Sequence, residues 1–181
     1  MLRFFAERAL DRFSKRFDYD VSYMRAILKA SPRAFMRLHE LTKGASHRET
    51  APNDAYYAAK LVGAMAEDCG PCTQLVVNMA YDARVPEPQI EAVLTRNMDA
   101  MNADTILGFR FAEAIVSRLA HEDEVRDAVR AQWGEKGLID LTYALQVGRV
   151  FPMIKAGLGY AHACRRIMIG EKPIDLVRRA A

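Results

Sequence analysis

The sequence predicts an all-α fold: a helical bundle with an N-terminal helical arm. Three observations support this. Ala, Leu, Met, Arg and Glu dominate the chain. Apolar residues recur at helical rather than alternating spacing. Ser, Asp, Pro and Gly fall where helices of ordinary length begin or end. A chain of 181 residues, 51% of them hydrophobic, fits one domain that buries roughly two-thirds of its unfolded surface and needs no structural metal or disulfide.

The first helix is expected over residues 2–17, with Leu2, Phe5, Ala9, Phe13 and Phe17 near helical spacing. It reads as an amphipathic helix docked on the domain or on a second subunit. A second helix lies in "DYDVSYMRAILKAS", with Asp20 placed to accept from first-turn amides. Ser31-Pro32 stops it and opens a third helix, which Gly44 closes. The polar, turn-rich "GASHRETAPND" marks a boundary between an arm, residues 1–50, and a core module, residues 51–181.

In the core module a helix of small and apolar residues runs from Asn53 to Met65, and a second continues after "EDCGPC" to about Met79. "RVPEPQIEAVL" gives a loop and a short helix. "NADTILGFRFAEAIVSRLA" gives a long buried helix opened by Asn102 or Asp104. "EDEVRDAVRAQWG" is amphipathic, with acidic residues in its first turn that suit the helix dipole. Two further helices follow, kinked or broken near Gly148 and Pro152.

The net charge of +3 is small and spread along the chain, which gives no footprint for nucleic acid. No apolar run approaches the ~20 residues that span a bilayer. The N-terminus lacks a signal-peptide core, so no membrane partner and a cytoplasmic location are expected. Three cysteines are not a secreted disulfide framework; a close pair plus a distant thiol points to redox or metal chemistry.

That pair lies in "EDCGPCTQLVV", Cys69 and Cys72 flanking Gly70-Pro71. Two sulfurs at this spacing meet when the first opens a helix and the second lies one turn in. Pro71 suits the first turn, where its missing N–H costs little. The unpaired amides of that turn favour thiolate, most of all at Cys69. Structural zinc wants four ligands, and His39, His47, His121, His162 and Cys164 form no second paired motif; His162 and Cys164 diverge by about 200° on a helix. No metal and no cofactor are therefore expected. Two buried structural thiols are the plainer alternative. The motif belongs to thioredoxin elsewhere, but the strands that fold needs are missing around it.

The order of these features, with the phrases "FAEA" and "LIDLTYAL", resembles the alkylhydroperoxidase D and carboxymuconolactone decarboxylase family over residues 52–164. The resemblance implies an all-α alkylhydroperoxidase D-like bundle that assembles as a homo-oligomer, dimer to hexamer. It also implies a peroxidase served by a dithiol reductant, with Cys72 the attacking sulfur and Cys69 the resolving one. The helix-dipole argument ranks the two sulfurs the other way. Two family positions are changed: Val76 stands where the relay histidine belongs, and Tyr57 where the glutamate belongs. A thiol of pKa ~8.5 without its base reacts about 10²–10⁴-fold more slowly unless the base is replaced. Glu67, Asp68, Tyr57 and Tyr56 are the candidate replacements; Lys60, expected to be solvated, and His162 carry less weight.

Three functions follow as alternatives. One is a thiol–disulfide redox protein, an antioxidant oxidoreductase reducing a peroxide or disulfide small-molecule substrate. Another is a non-catalytic oligomer or redox sensor with structural cysteines. The third is a decarboxylase-like lyase, which the retained sulfurs and lost histidine disfavour.

Overall fold

The computed structural model describes residues 2–161 and 166–176. The chain is mostly helical, with eight helices and one two-stranded sheet among the described residues. The arm comprises α1 (Leu2–Phe17), α2 (Ser22–Ala30) and α3 (Pro32–Gly44). The remaining helices are α4 (Asn53–Ala66), α5 (Gly70–Asp82), α6 (Glu87–Leu94), α7 (Ala103–Ser117) and α8 (Glu122–Gly157).

Helix starts follow side-chain chemistry. The Ser31 hydroxyl accepts from the Ala34 amide, with Pro32 next in the first turn. Asn102 rather than Asp104 caps α7, accepting from the Thr105 amide. Asp20 accepts from the backbone and hydroxyl of Ser22. In α1 the buried residues are Ala6 and Leu10; Phe5, expected on the apolar face, is 62% exposed, and Phe13 and Phe17 are partly buried. The helix packs on α2 and α5, with Ala6 and Leu10 its buried residues.

α4 is the central helix and packs against α7 and α8. Its small residues allow this. Gly148 of α8 lies against α4 so closely that an added Cβ would overlap the Lys60 carbonyl oxygen, and one at Gly63 would overlap the Leu145 carbonyl. Gly108 of α7 meets the Ala55 carbonyl in the same way. α8 therefore runs on through Gly148 and Pro152, where the sequence suggested a break. Its interruption is at Gly134, with φ 69° and ψ −173°, a backbone conformation that glycine alone adopts readily.

The sequence reading named no strands, yet β1 (Arg166–Ile169) and β2 (Lys172–Asp175) form an antiparallel hairpin. Gly170 turns it at φ 57°, and Ile167, Ile169 and Ile174 are buried in the main core. The Gln74 side chain of α5 holds β1 by accepting from the Met168 amide and donating to its carbonyl. His162 and Cys164 lie outside the described residues.

The "GASHRETAPND" stretch is held firmly in place. The wholly buried Asp140 carboxylate accepts from the backbone amides of Glu49, Thr50 and Ala51 at 2.8–3.0 Å. One acid of α8 thus fixes the loop that leads into α4.

Gly148→Ala is expected to destabilise the protein by about 1–3 kcal/mol, because two backbones must part to admit the methyl group. Gly157→Ala, where nothing lies within 4 Å, is expected within about 0.5 kcal/mol of the native protein. Urea unfolding midpoints of the two variants check this.

Candidate functional site

The cysteine segment sits between α4 and α5. Asp68 turns the chain at φ 51°, and Cys69 is the N-cap of α5 in an extended conformation. The Cys69 carbonyl accepts from both the amide and the hydroxyl of Thr73, which starts the helix. Cys72 follows one turn in, and the two sulfurs are joined as a disulfide with the Cα atoms 5.3 Å apart. Both residues are buried, at 2% and 4% exposure.

They differ in what they face. Cys72 lines a cavity of about 480 Å³, whereas Cys69 does not. The arm and the core enclose this cavity together: α1 contributes Phe13, the α1–α2 connection Tyr19, α2 Tyr23 and Met24, and α8 Phe151. Leu75, Val76 and Met79 continue the wall along α5. Val76, where the resemblance leads us to expect a histidine, thus faces the space beside Cys72 with no titratable group.

Polar groups converge on the same space. The Tyr19 hydroxyl lies 3.7 Å from Cys72 Sγ and, since a disulfide sulfur has no proton, donates to it. Burial pushes the Tyr19 hydroxyl pKa up to about 12 and that of Tyr23 up as well. Lys155 Nζ stands over both rings, 4.9 Å from the centroid of Tyr19 and 5.5 Å from that of Tyr23. Tyr56 and Tyr57 also line the cavity, and burial raises both of their pKa values.

Lys60 was expected in solvent. It is 6% exposed, lines the cavity, and donates from Nζ to the Ala45 carbonyl at 3.1 Å. Its Nζ also stands 5.4 Å and 5.8 Å from the ring centroids of Tyr56 and Tyr57. Burial alone brings its pKa down from 10.5 to about 8. With a pKa of about 8 the desolvated ammonium is still largely protonated at pH 7.

Of the sequence-predicted residues, Cys72 and Tyr57 meet at this cavity, and Cys69 is tied to it through the disulfide. Glu67 points elsewhere: it closes α4 and is paired with Arg149, Nε to Oε1 2.6 Å, outside the cavity lining. It is an anchor between α4 and α8 and is not placed as a base for either sulfur. Tyr19 and Tyr23 were missed because the arm was read as lying outside the module that carries the cysteines, and Lys155 of α8 because the rings it stands over belong to that arm. No cluster of three or more His, Cys, Asp or Glu side chains suited to a metal ion occurs among the described residues. Among them, too, no helix is long and apolar enough to cross a membrane.

Comparison with models of protein families, with curated proteins and with solved structures finds no match to this chain. The site's chemistry therefore rests on its own geometry.

Lys60 makes stability depend on pH. Below about pH 8 folded and unfolded chains both hold its proton, and the burial penalty is felt in full. Between about 8 and 10.5 the unfolded chain binds more protons, so this residue's contribution improves as pH rises. Lys60→Met is expected to stabilise the protein by roughly 3 kcal/mol at pH 7. The advantage should shrink steadily toward pH 10.5, as read from paired urea titrations across that range.

Proposed function

We propose that this protein is a thiol–disulfide redox protein in which Cys72 meets the substrate and Cys69 resolves. The single observation behind this is the asymmetry of the pair: of two buried, bonded sulfurs, only Cys72 faces the cavity. The order of helices and the Cys-x-x-Cys segment, which resemble alkylhydroperoxidase D, agree with that assignment. They also favour a homo-oligomer recycled by an external dithiol.

For a peroxide, the Cys72 thiolate attacks one oxygen. A sulfur–oxygen bond forms, the oxygen–oxygen bond breaks, and an alcohol leaves with a proton while Cys72 becomes a sulfenic acid. The Cys69 thiol then displaces water from that sulfenic acid to give the disulfide. A dithiol reductant returns two electrons and two protons. For a disulfide substrate, Cys72 forms a mixed disulfide and Cys69 releases it.

The surroundings favour the thiolate rather than supplying a base for it. Cys72 lies in the first turn of α5, where unpaired amides and the helix dipole stabilise negative charge. A hydrogen bond from Tyr19 to the thiolate lowers its pKa further. The Lys60 ammonium adds positive potential across the cavity. With Val76 in place of a proton-carrying histidine, turnover with peroxide is slower than in a peroxidase that has one, and disulfide exchange is the better-served reaction.

In Cys69→Ser, mild peroxide is expected to leave a sulfenic acid on Cys72 that dimedone traps, located by peptide mass spectrometry. Cys72→Ser is expected to give no adduct and no disulfide exchange. An adduct formed equally well on Cys69 in that variant would reverse the assignment. Native thiols that stay reduced in both peroxide and oxidised-dithiol buffer would end the redox reading. Tyr19→Phe is expected to raise the Cys72 pKa by about one unit, read from the pH dependence of its alkylation.

A further inference from the structure

The cavity wall carries an unbalanced charge. Arg48 and Lys60 are its only charged residues, both cationic, and no Asp or Glu lines it among the described residues. Arg48 is exposed and gives one guanidinium N–H to the Ala51 carbonyl. Lys60 is more than nine-tenths buried, and the oxygen it contacts is the neutral carbonyl of Ala45. No ion pair joins Lys60 to a carboxylate among the described residues.

A buried ammonium without a counter-ion is costly, and folds normally pair such a group or let a ligand do so. Two of its three donor positions remain for a ligand after the bond to Ala45. Much of the lining is apolar: Phe13, Met24, Leu75, Met79 and Phe151 face the same space. A volume of about 480 Å³ lies within the ~300–1,000 Å³ typical of small-molecule sites.

We propose that this cavity binds an amphipathic carboxylate, its head group on the Lys60 ammonium and its hydrocarbon body along the Phe13–Leu75–Phe151 wall beside Cys72. Lys60 supplies the charge-assisted contact, and the apolar wall supplies the burial that makes a hydrocarbon body preferable to a small anion. As a statement of substrate class it rests on the redox reading; as a statement of binding it stands without it.

The test uses the full chain in its disulfide form, with octanoate and octanol titrated by calorimetry. Octanoate is expected to bind about tenfold or more tightly than octanol, the size of a charge-assisted hydrogen bond, and Lys60→Met to abolish that preference. Octanoate is also expected to protect Cys72 of the reduced protein from alkylation, which places it in this cavity rather than elsewhere on the molecule. Equal binding of the two probes, an unchanged preference in Lys60→Met, or no binding of octanoate would each overturn the proposal. The outcomes separate it from the redox reading. Reversible oxidation of Cys72 with no octanoate preference removes only the ligand, and octanoate binding beside inert cysteines removes only the chemistry.

Discussion

The site depends first on how closely α4 and α8 approach each other. Gly63 and Gly148 let the two backbones touch, so the Lys60 carbonyl packs against α8 where any side chain would separate them. That contact sets the height of Lys60 on α4 relative to Val147, Phe151 and Pro152 on α8, all of which line the cavity. Were the helices farther apart, the Lys60 stem would find water and its ammonium would lose the desolvation that distinguishes it. The penalty of burying that cation is thus carried by the packing of small residues one turn away, a trade of stability for a preformed site.

Asp140 performs the second positioning step. Three consecutive amides bound to one buried carboxylate fix the chain from Glu49 to Ala51, just after Ala45, Ser46 and Arg48 enter the cavity wall. The Ala45 carbonyl then accepts from both Tyr56 and Lys60. An acid on α8 therefore orients a loop whose carbonyl holds the cation on α4. Removing the acid would leave three amides without this partner, the Ala51 amide among them buried, so loop and cation would loosen together.

Much of the fold was legible in the sequence because its signals are local. Ser31-Pro32, Asn102 and the Gly70-Pro71 start of α5 act through bonds within one turn, and periodicity marks the long helices. The hairpin at the end was overlooked although Ile167, Ile169 and Ile174 alternate around Gly170 in the manner of a short strand pair. Gly148 suggested a break because its role, close approach to α4, depends on a helix 85 or so positions earlier. At the cavity Cys72 was singled out for its spacing to Cys69, and Tyr57 through the resemblance alone. Tyr19 and Lys60 were not: one reaches Cys72 across 53 positions of sequence, and the other looks like any lysine until its neighbours are known.

Val76 beside Cys72 leaves the site a kind of proton chemistry other than a histidine's. A histidine beside a thiol takes the proton and hands it on, so rate follows the protonation of the pair. Tyr19, with a pKa of about 12, keeps its proton at neutral pH and acts only as a donor. It stabilises a thiolate already formed, as do the α5 amides and Lys60, but it cannot create one. In the proposed chemistry the pH dependence near neutrality therefore belongs to the Cys72 thiol itself. Lys60, whose charge fades above about pH 8, withdraws its share of the support for the thiolate in that range. A site built this way suits exchange with a bound partner, where proximity does the work that a base would otherwise do.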